Sequence, residues 1–282
     1  INFLKAGLVA SDIITTVSTT YAAEILTPEY GYGLDGVLRK RSSDLYGVIN
    51  GIDVGEWDPR GDTRIPASYD ASDLSGKALC KKALIRECSL GEAGRDAPVV
   101  AMIGRLSEQK GLDILLEAMD EMVSLGVTFA ILGKGDERFQ KGIIAMAERH
   151  RGLISVMIGY DETLARHIYA GSDLFLMPSR YEPCGLGQMI SMRYGTLPVA
   201  RKTGGLADTI TDFDPLRKCG TGFLFKDYRA SSLVECLKRA LCVYVNKRKW
   251  KEMIVSAMEK DFSWERSAEQ YRELYRTIQG KK

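Results

Sequence analysis

Residues 98–133 read PVVAMIGRLSEQKGLDILLEAMDEMVSLGVTFAILG, and the rhythm of this stretch decides the fold. Val99 to Ile103 is an unbroken apolar run short enough for one buried strand. Leu112, Leu115, Leu116, Met119, Met122 and Val123 then recur at steps of three and four, the spacing of a helix with one apolar face. Val127 to Leu132 is a second apolar run, so the order is strand, helix, strand.

The alternation continues downstream. A helix through Ile143 to Ala147 leads to a strand at Leu153 to Ile158, and a helix through Leu164 to Tyr169 leads to a strand at Asp173 to Met177. A helix starting near Leu186 leads to a strand at Leu197 to Ala200, and a last short strand spans Gly222 to Phe225. Strands that alternate with helices predict an α/β fold, a doubly wound parallel sheet covered on both faces. The tail is helical, with Leu233, Leu237, Leu241 and Tyr244 on one face and Ala268, Tyr271, Leu274, Tyr275 and Ile278 on another.

Upstream the text changes. Residues 1 to about 46 hold helix-like pieces and the β-branched run Asp12 to Val17, but too few strands to close a sheet, so this segment needs a partner. Gly47 to Pro66 is rich in Gly, Asp and Pro and reads as a connector. Residues 1–59 are therefore expected to be the end of a first domain with its connector. Residues 60–282 are expected to be a Rossmann-like domain whose last helix packs back on the first. The start at Ile1, without Met and directly before Phe3 and Leu4, looks cut from something longer.

Bulk properties exclude several classes. A net charge of +2 over 282 residues supplies no field to draw nucleic acid or an anionic membrane. No apolar run approaches the roughly 18 residues of a membrane span and no signal peptide is visible, so the cytoplasm is expected. The six cysteines form no C-x-x-C pair and only two histidines, His150 and His167, could assist them, so no metal site is expected. They read as reduced core thiols, Cys236 and Cys242 among them.

In an open parallel sheet the ligand lies beyond the carboxyl ends of the strands. The loop after the first strand, Gly104 to Gly111, carries Arg105 and Lys110 just before a helix, a pattern suited to gripping phosphate with a guanidinium fork, a mobile ammonium and free helix N–H groups. After the fourth strand comes Pro178-Ser179-Arg180-Tyr181-Glu182-Pro183-Cys184-Gly185-Leu186-Gly187-Gln188. Its glycines allow close backbone approach, and Glu182 can bond sugar hydroxyls or face positive charge at a sugar carbon. After the fifth, Arg201-Lys202-Thr203-Gly204-Gly205-Leu206 adds cations, a hydroxyl and paired glycines. A single basic loop is an ordinary solvated surface and an acid before a helix is an ordinary cap, but three such loops at one sheet edge point to an anion site.

These three segments, with Thr203-Gly204-Gly205-Leu206-Ala207-Asp208 for the last, resemble the signatures of the glycogen synthase and starch synthase family. Phe3-Leu4-Lys5-Ala6-Gly7, Thr16 to Ala22 and Asn50-Gly51-Ile52-Asp53 extend the likeness over essentially the whole chain. The resemblance implies two facing Rossmann-like halves, ADP-glucose in the cleft, an α-1,4-glucan acceptor, no cofactor or essential metal, and retention of configuration. It implies that Arg105 and Lys110 neutralise the departing diphosphate, and that Glu182 lies at the transferred glucose. By the same motifs, the backbone from Cys184 through Gly185 and Leu186 to Gly187 holds sugar and phosphate oxygens, with Lys202, Thr203 and Gly204 beside it, and Tyr160 stacks on adenine. Two departures stand out: many relatives have Thr or Asn where Gly187 stands, and Ile190 occupies the place where the wider superfamily often has a second Glu. The amino-terminal donor loop and the catalytic-cleft His and Asp of the family are not in this sequence, so the chain alone should bind nucleotide weakly and transfer nothing.

Other readings fare less well. Gly31-Tyr32-Gly33-Leu34-Asp35-Gly36 fits G-x-G-x-x-G in letters, but no apolar strand precedes it and no βαβ unit contains it. A sugar-nucleotide epimerase on the same fold lacks the Glu182 to Leu186 segment. A non-catalytic nucleotide- or glucan-binding remnant would keep the same sheet edge and stays open.

Overall fold

The computed structural model describes residues 2–91 and 97–280; Ile1 and Lys282, the outer limits of the two expected domains, lie outside the described residues. The chain opens with α1 (Phe3–Ala10), β1 (Ile14–Thr16), α2 (Thr19–Glu24), α3 (Asp35–Lys40) and β2 (Leu45–Gly47). β1 and β2 form a two-stranded parallel sheet, with Ile14 opposite Leu45 and Thr16 opposite Gly47. Three residues are too few to show a period, which is why β2 is not legible in the sequence. Helix α1 buries no residue, and its Phe3 is 82% exposed.

After the connector come α4 (Ser75–Glu87), β3 (Val99–Ile103), α5 (Leu112–Ser124), β4 (Thr128–Gly133), α6 (Glu137–Arg149), β5 (Ile154–Ile158), α7 (Glu162–Gly171) and β6 (Leu174–Met177). They are followed by α8 (Gly187–Arg193), β7 (Leu197–Arg201), α9 (Gly204–Thr209), β8 (Phe223–Phe225), α10 (Ala230–Tyr244), α11 (Lys247–Met258) and α12 (Trp264–Gln279). The six strands from β3 to β8 pair in parallel in the order β5-β4-β3-β6-β7-β8. The order reverses between β3 and β6, and that crevice is where a doubly wound sheet takes its ligand.

Both sheet faces are covered. Val99, Val100, Leu174 and Leu197 are fully buried in the strands, and Leu112, Leu115, Met119 and Met122 of α5 are fully buried above them. Among the described residues no helix is long and apolar enough to cross a membrane.

Helix α4 is absent from the sequence reading because a buried cation interrupts its apolar face. Lys77 is buried on α4, and its ammonium donates to the carbonyls of Ala170 (3.1 Å) and Tyr194 (2.8 Å) and to the Thr196 hydroxyl (2.9 Å). Three acceptors compensate a charge that water no longer solvates. Two further expectations need correction. Cys242 is exposed on α10, whereas Cys236, six residues earlier, is buried. On α12, Tyr271, Leu274 and Ile278 are half-buried, whereas Ala268 and Tyr275 face solvent and Ser267 is the buried residue.

The connector is fastened at two places. Ile52 pairs with Ser263 and its amide donates to the Phe262 carbonyl (2.8 Å), while the Ser267 hydroxyl donates to the Ile49 carbonyl (2.6 Å), so the end of the chain returns to it. A groove of about 570 Å³ lies alongside, lined by Ala22 of α2, Leu26 just after it, Tyr46 of β2, and Gln270 and Leu274 of α12. Further on, the guanidinium of Arg166 donates to the Asp62 carboxylate (2.9 Å), the Glu56 carbonyl (3.0 Å), the Glu162 carboxylate (3.0 Å) and the Tyr194 hydroxyl (3.2 Å). It also lies 4.0 Å from the centre of the Trp57 ring.

Candidate active site

The loops after β3 and β6 are interlocked across the switch point. Gly111 has φ +77°, and an added Cβ would lie 2.1 Å from the Pro178 carbonyl oxygen, so only glycine fits both the backbone conformation and the space. The Arg180 amide donates to the Gln109 carbonyl (2.8 Å), and the Gln109 side-chain amide donates to the Tyr181 carbonyl (3.3 Å). This stitching brings the Lys110 ammonium 2.5 Å from Glu182 Oε2, and the Ser179 hydroxyl donates to the same oxygen at 3.0 Å. Glu182 is only 5% exposed. The cation and the hydroxyl donor offset the hydration that Glu182 loses on burial.

Arg105 shares the β3 loop with Lys110 but is exposed, and among the described residues it has no ion-pair partner. Its charge reaches the Tyr181 phenol beside Glu182. Arg180 and Arg201 are already engaged. Arg180 pairs with Asp113 (3.0 Å) and Glu108 (3.1 Å), and Arg201 donates to the carbonyls of Arg180 and Lys226.

The loop after β7 closes on the same place. The space beside the paired glycines is filled by protein backbone. A Cβ at Gly204 would lie 1.9 Å from the Glu182 carbonyl oxygen and one at Gly205 2.1 Å from that of Cys184, and the Gly205 amide donates to the Glu182 carbonyl (3.0 Å). Their smallness therefore lets α9 pack directly on the backbone that carries Glu182. The Thr203 hydroxyl (2.8 Å) and the Gly204 amide (3.0 Å) both donate to Glu24 Oε1 on α2, and Lys202 is exposed.

Cys184 is buried, and burial pushes its thiol up. The Gln188 amide pins the turn by donating to the carbonyls of Cys184 (3.1 Å) and Gly185 (2.9 Å) and to the Thr209 hydroxyl (3.1 Å). Leu186 is 46% exposed, and a Cβ at Gly187 would lie 3.0 Å from the Phe175 ring. Tyr160 follows the edge strand β5 and stands 87% exposed.

The structure thus gathers Lys110, Glu182, Cys184, Gly185, Thr203 and Gly204, leaves Arg105 and Lys202 exposed beside them, and sets Tyr160 after the edge strand. Ser179 and Gln188 were missed although they lie inside the segment singled out. Ser179 stands three residues before Glu182, the one local signal available. Glu24 was missed because nothing in its own helix announces contacts about 180 residues downstream. His150 pairs with Asp120 (2.5 Å) and His167 with Glu87 (2.7 Å), both outside these loops. Among the described residues no group of three or more His, Cys, Asp or Glu could hold a metal ion.

Comparison with known proteins follows this geometry. The family described as glycosyl transferases group 1 matches residues 91–253, and the starch synthase catalytic domain matches residues 1–40. The chain is 51% identical over 278 residues to a glycogen synthase of an Anaeromyxobacter species, covering 99% of this chain and 58% of that protein. It is 48% identical over 281 residues to a glycogen synthase of Fervidobacterium nodosum, covering 100% of this chain and 58% of that protein. The chain thus spans somewhat under two thirds of the length of these curated relatives. Among solved structures, the catalytic domain of starch synthase IV from Arabidopsis thaliana, bound to ADP and acarbose, superposes with a TM-score of 0.92 at 39% identity, over 98% of this chain and 58% of that one. Sucrose-phosphate synthase from Thermosynechococcus elongatus shares the fold, with a TM-score of 0.64 at 21% identity over 99% of this chain and 61% of that one.

Proposed function

The chain belongs to the group 1 glycosyl transferases, and from that membership we propose that it is the carboxyl-terminal portion of a glycogen or starch synthase, a retaining hexosyltransferase that moves glucose from ADP-glucose to the non-reducing end of an α-1,4-glucan. The observation that carries this reading is the 2.5 Å contact between Lys110 and the buried Glu182 at the switch point, with Arg105 in the same loop. Departure of ADP builds negative charge on phosphate and positive charge on the sugar carbon together, and a site with cations at one end and a carboxylate at the other stabilises both.

In this reading Arg105 and Lys110 face the diphosphate and Glu182 lies against the transferred glucose. The backbone from Cys184 to Gly187 holds sugar and phosphate oxygens, Lys202, Thr203 and Gly204 complete the anion site, and Tyr160 stacks on adenine. Residues 1–59 are the end of the amino-terminal domain with its connector, and 60–282 the nucleotide-sugar-binding domain. The missing half of the first domain covers the bare face of α1 and the groove between α2, β2 and α12. Six free thiols suit a reducing compartment, in keeping with the cytoplasm.

Calorimetry of the chain with ADP, UDP and ADP-glucose tests the donor. ADP is expected to bind more tightly than UDP, and glucose incorporation into glycogen should appear once an amino-terminal half is added. No binding of ADP, or equal affinity for UDP, removes the synthase reading.

A further inference from the structure

Gly31-Tyr32-Gly33, which matches a dinucleotide fingerprint only in its letters, builds something else. Tyr32 has φ +49° and Gly33 φ +79°, and a Cβ at Gly31 would lie 2.5 Å from Asp35 Cβ and 2.8 Å from the Ile25 carbonyl oxygen. A bulky residue held in the left-handed region is uncommon, and surrounding structure has to impose it. Here the tight turn leaves the Tyr32 side chain 69% exposed, with its ring centre 6.1 Å from that of Tyr181 and edge-on at 68°. Tyr30 stands 6.4 Å from the same Tyr181 ring, with the Arg201 guanidinium near its phenol. Three aromatic rings therefore meet beside Glu182, the residue that follows Tyr181.

The order of the strands gives this cluster a direction. If adenine lies at Tyr160 beyond β5, diphosphate at the β3 loop and glucose at Glu182 beyond β6, the donor runs along the sheet edge from β5 to β6. Of the three tyrosines, Tyr30 stands near Arg201 at the end of β7, on the side of β6 opposite to β3. A single donor cannot place its base at both ends, so this side faces the molecule that receives the glucose. We propose that Tyr30, Tyr32 and Tyr181 form a carbohydrate platform for the acceptor α-glucan, with the exposed Tyr32 ring lying against the C–H face of a pyranose. A tyrosine suits this task because its ring covers apolar sugar surface while its hydroxyl stays wet. The placement rests on the reading of Glu182 as the residue at the transferred glucose.

The full 282-residue chain, titrated with maltoheptaose and separately with ADP, tests the platform through Tyr32→Asn and Tyr32→Phe. Asn tolerates left-handed backbone, so it removes the ring without new strain, and Phe keeps the ring without the hydroxyl. Tyr32→Asn should weaken maltoheptaose binding about 5- to 10-fold, while Tyr32→Phe keeps it within about twofold and neither changes ADP affinity by more than about twofold. Unchanged maltoheptaose affinity in Tyr32→Asn, or loss of ADP affinity in its place, overturns the platform, the second outcome assigning the rings to the nucleotide base. If the unsubstituted chain binds ADP but no maltoheptaose, the platform falls and the donor reading stands. If it binds maltoheptaose through Tyr32 but no ADP, the donor reading falls and the platform stands as a glucan site.

Discussion

Lys110→Ala in the completed two-domain transferase should lower turnover about 100- to 1,000-fold while the KM for ADP-glucose moves less than about fivefold. The geometry gives Lys110 two duties. It neutralises the buried Glu182 at 2.5 Å, and on the proposed function it meets the diphosphate whose charge grows as the glycosidic bond breaks. An interaction that strengthens only in the transition state appears in turnover, not in ground-state affinity. The two duties separate in the double substitution Lys110→Ala with Glu182→Gln. Neutralising Glu182 removes the need for a counter-ion, so the stability lost in Lys110→Ala should return in the double variant, while activity stays low because Glu182 itself faces the sugar carbon; the phosphate role is read from Lys110→Ala alone, whose turnover falls while its KM holds. Steady-state kinetics and thermal melts of wild type, single and double variants measure the two separately. A Lys110→Ala enzyme that binds ADP-glucose weakly yet turns over normally would contradict the phosphate role.

Arg166→Ala should lower the unfolding free energy by about 3–5 kcal/mol, the range for breaking a buried ion pair on one side. The side chains of Arg166 and Asp62 are both fully buried. Burial pushes the Asp62 carboxyl up, but the Tyr194 hydroxyl (2.5 Å), the Arg64 amide (3.0 Å) and the Arg166 guanidinium (2.9 Å) together hold it below its ordinary value. A carboxyl depressed in the folded state contributes stability that is present above its unfolded pKa and lost as the pH falls through the folded one. Removing Arg166 should therefore also move acid unfolding to higher pH. Arg166→Met with Asp62→Leu should recover most of the loss, since an apolar pair leaves no buried charge unpaired. Denaturant titrations measure both, and a loss below about 1 kcal/mol in Arg166→Ala would mean that water reaches Asp62 once the guanidinium is gone.

Much of this fold is legible because buried parallel strands are continuous apolar runs, and β3, β4 and β6 lie within a residue or so of where those runs begin and end. Strand order is not written in any one segment, because it depends on the direction in which each helix crosses the sheet. Helix α4 escaped notice because Lys77 sits where an apolar residue would be expected. In the site, Arg105, Lys110 and Glu182 are visible because each follows a strand on the ligand edge. Long-range partners are not visible, as Glu24 with Thr203 illustrates, nor is the close packing of Gly204 and Gly205 on the backbone of Glu182 and Cys184.

The split between sheltered and exposed sulfur has a practical outcome. Cys80, Cys88, Cys184 and Cys236 are buried and burial pushes each of their thiols up, whereas Cys219 and Cys242 face solvent. Because the thiolate is the reacting form, a maleimide dye at neutral pH should attach to those two positions and spare the four inside. Fluorescent tags can thus be placed on the unmodified sequence without touching the turn that carries Glu182.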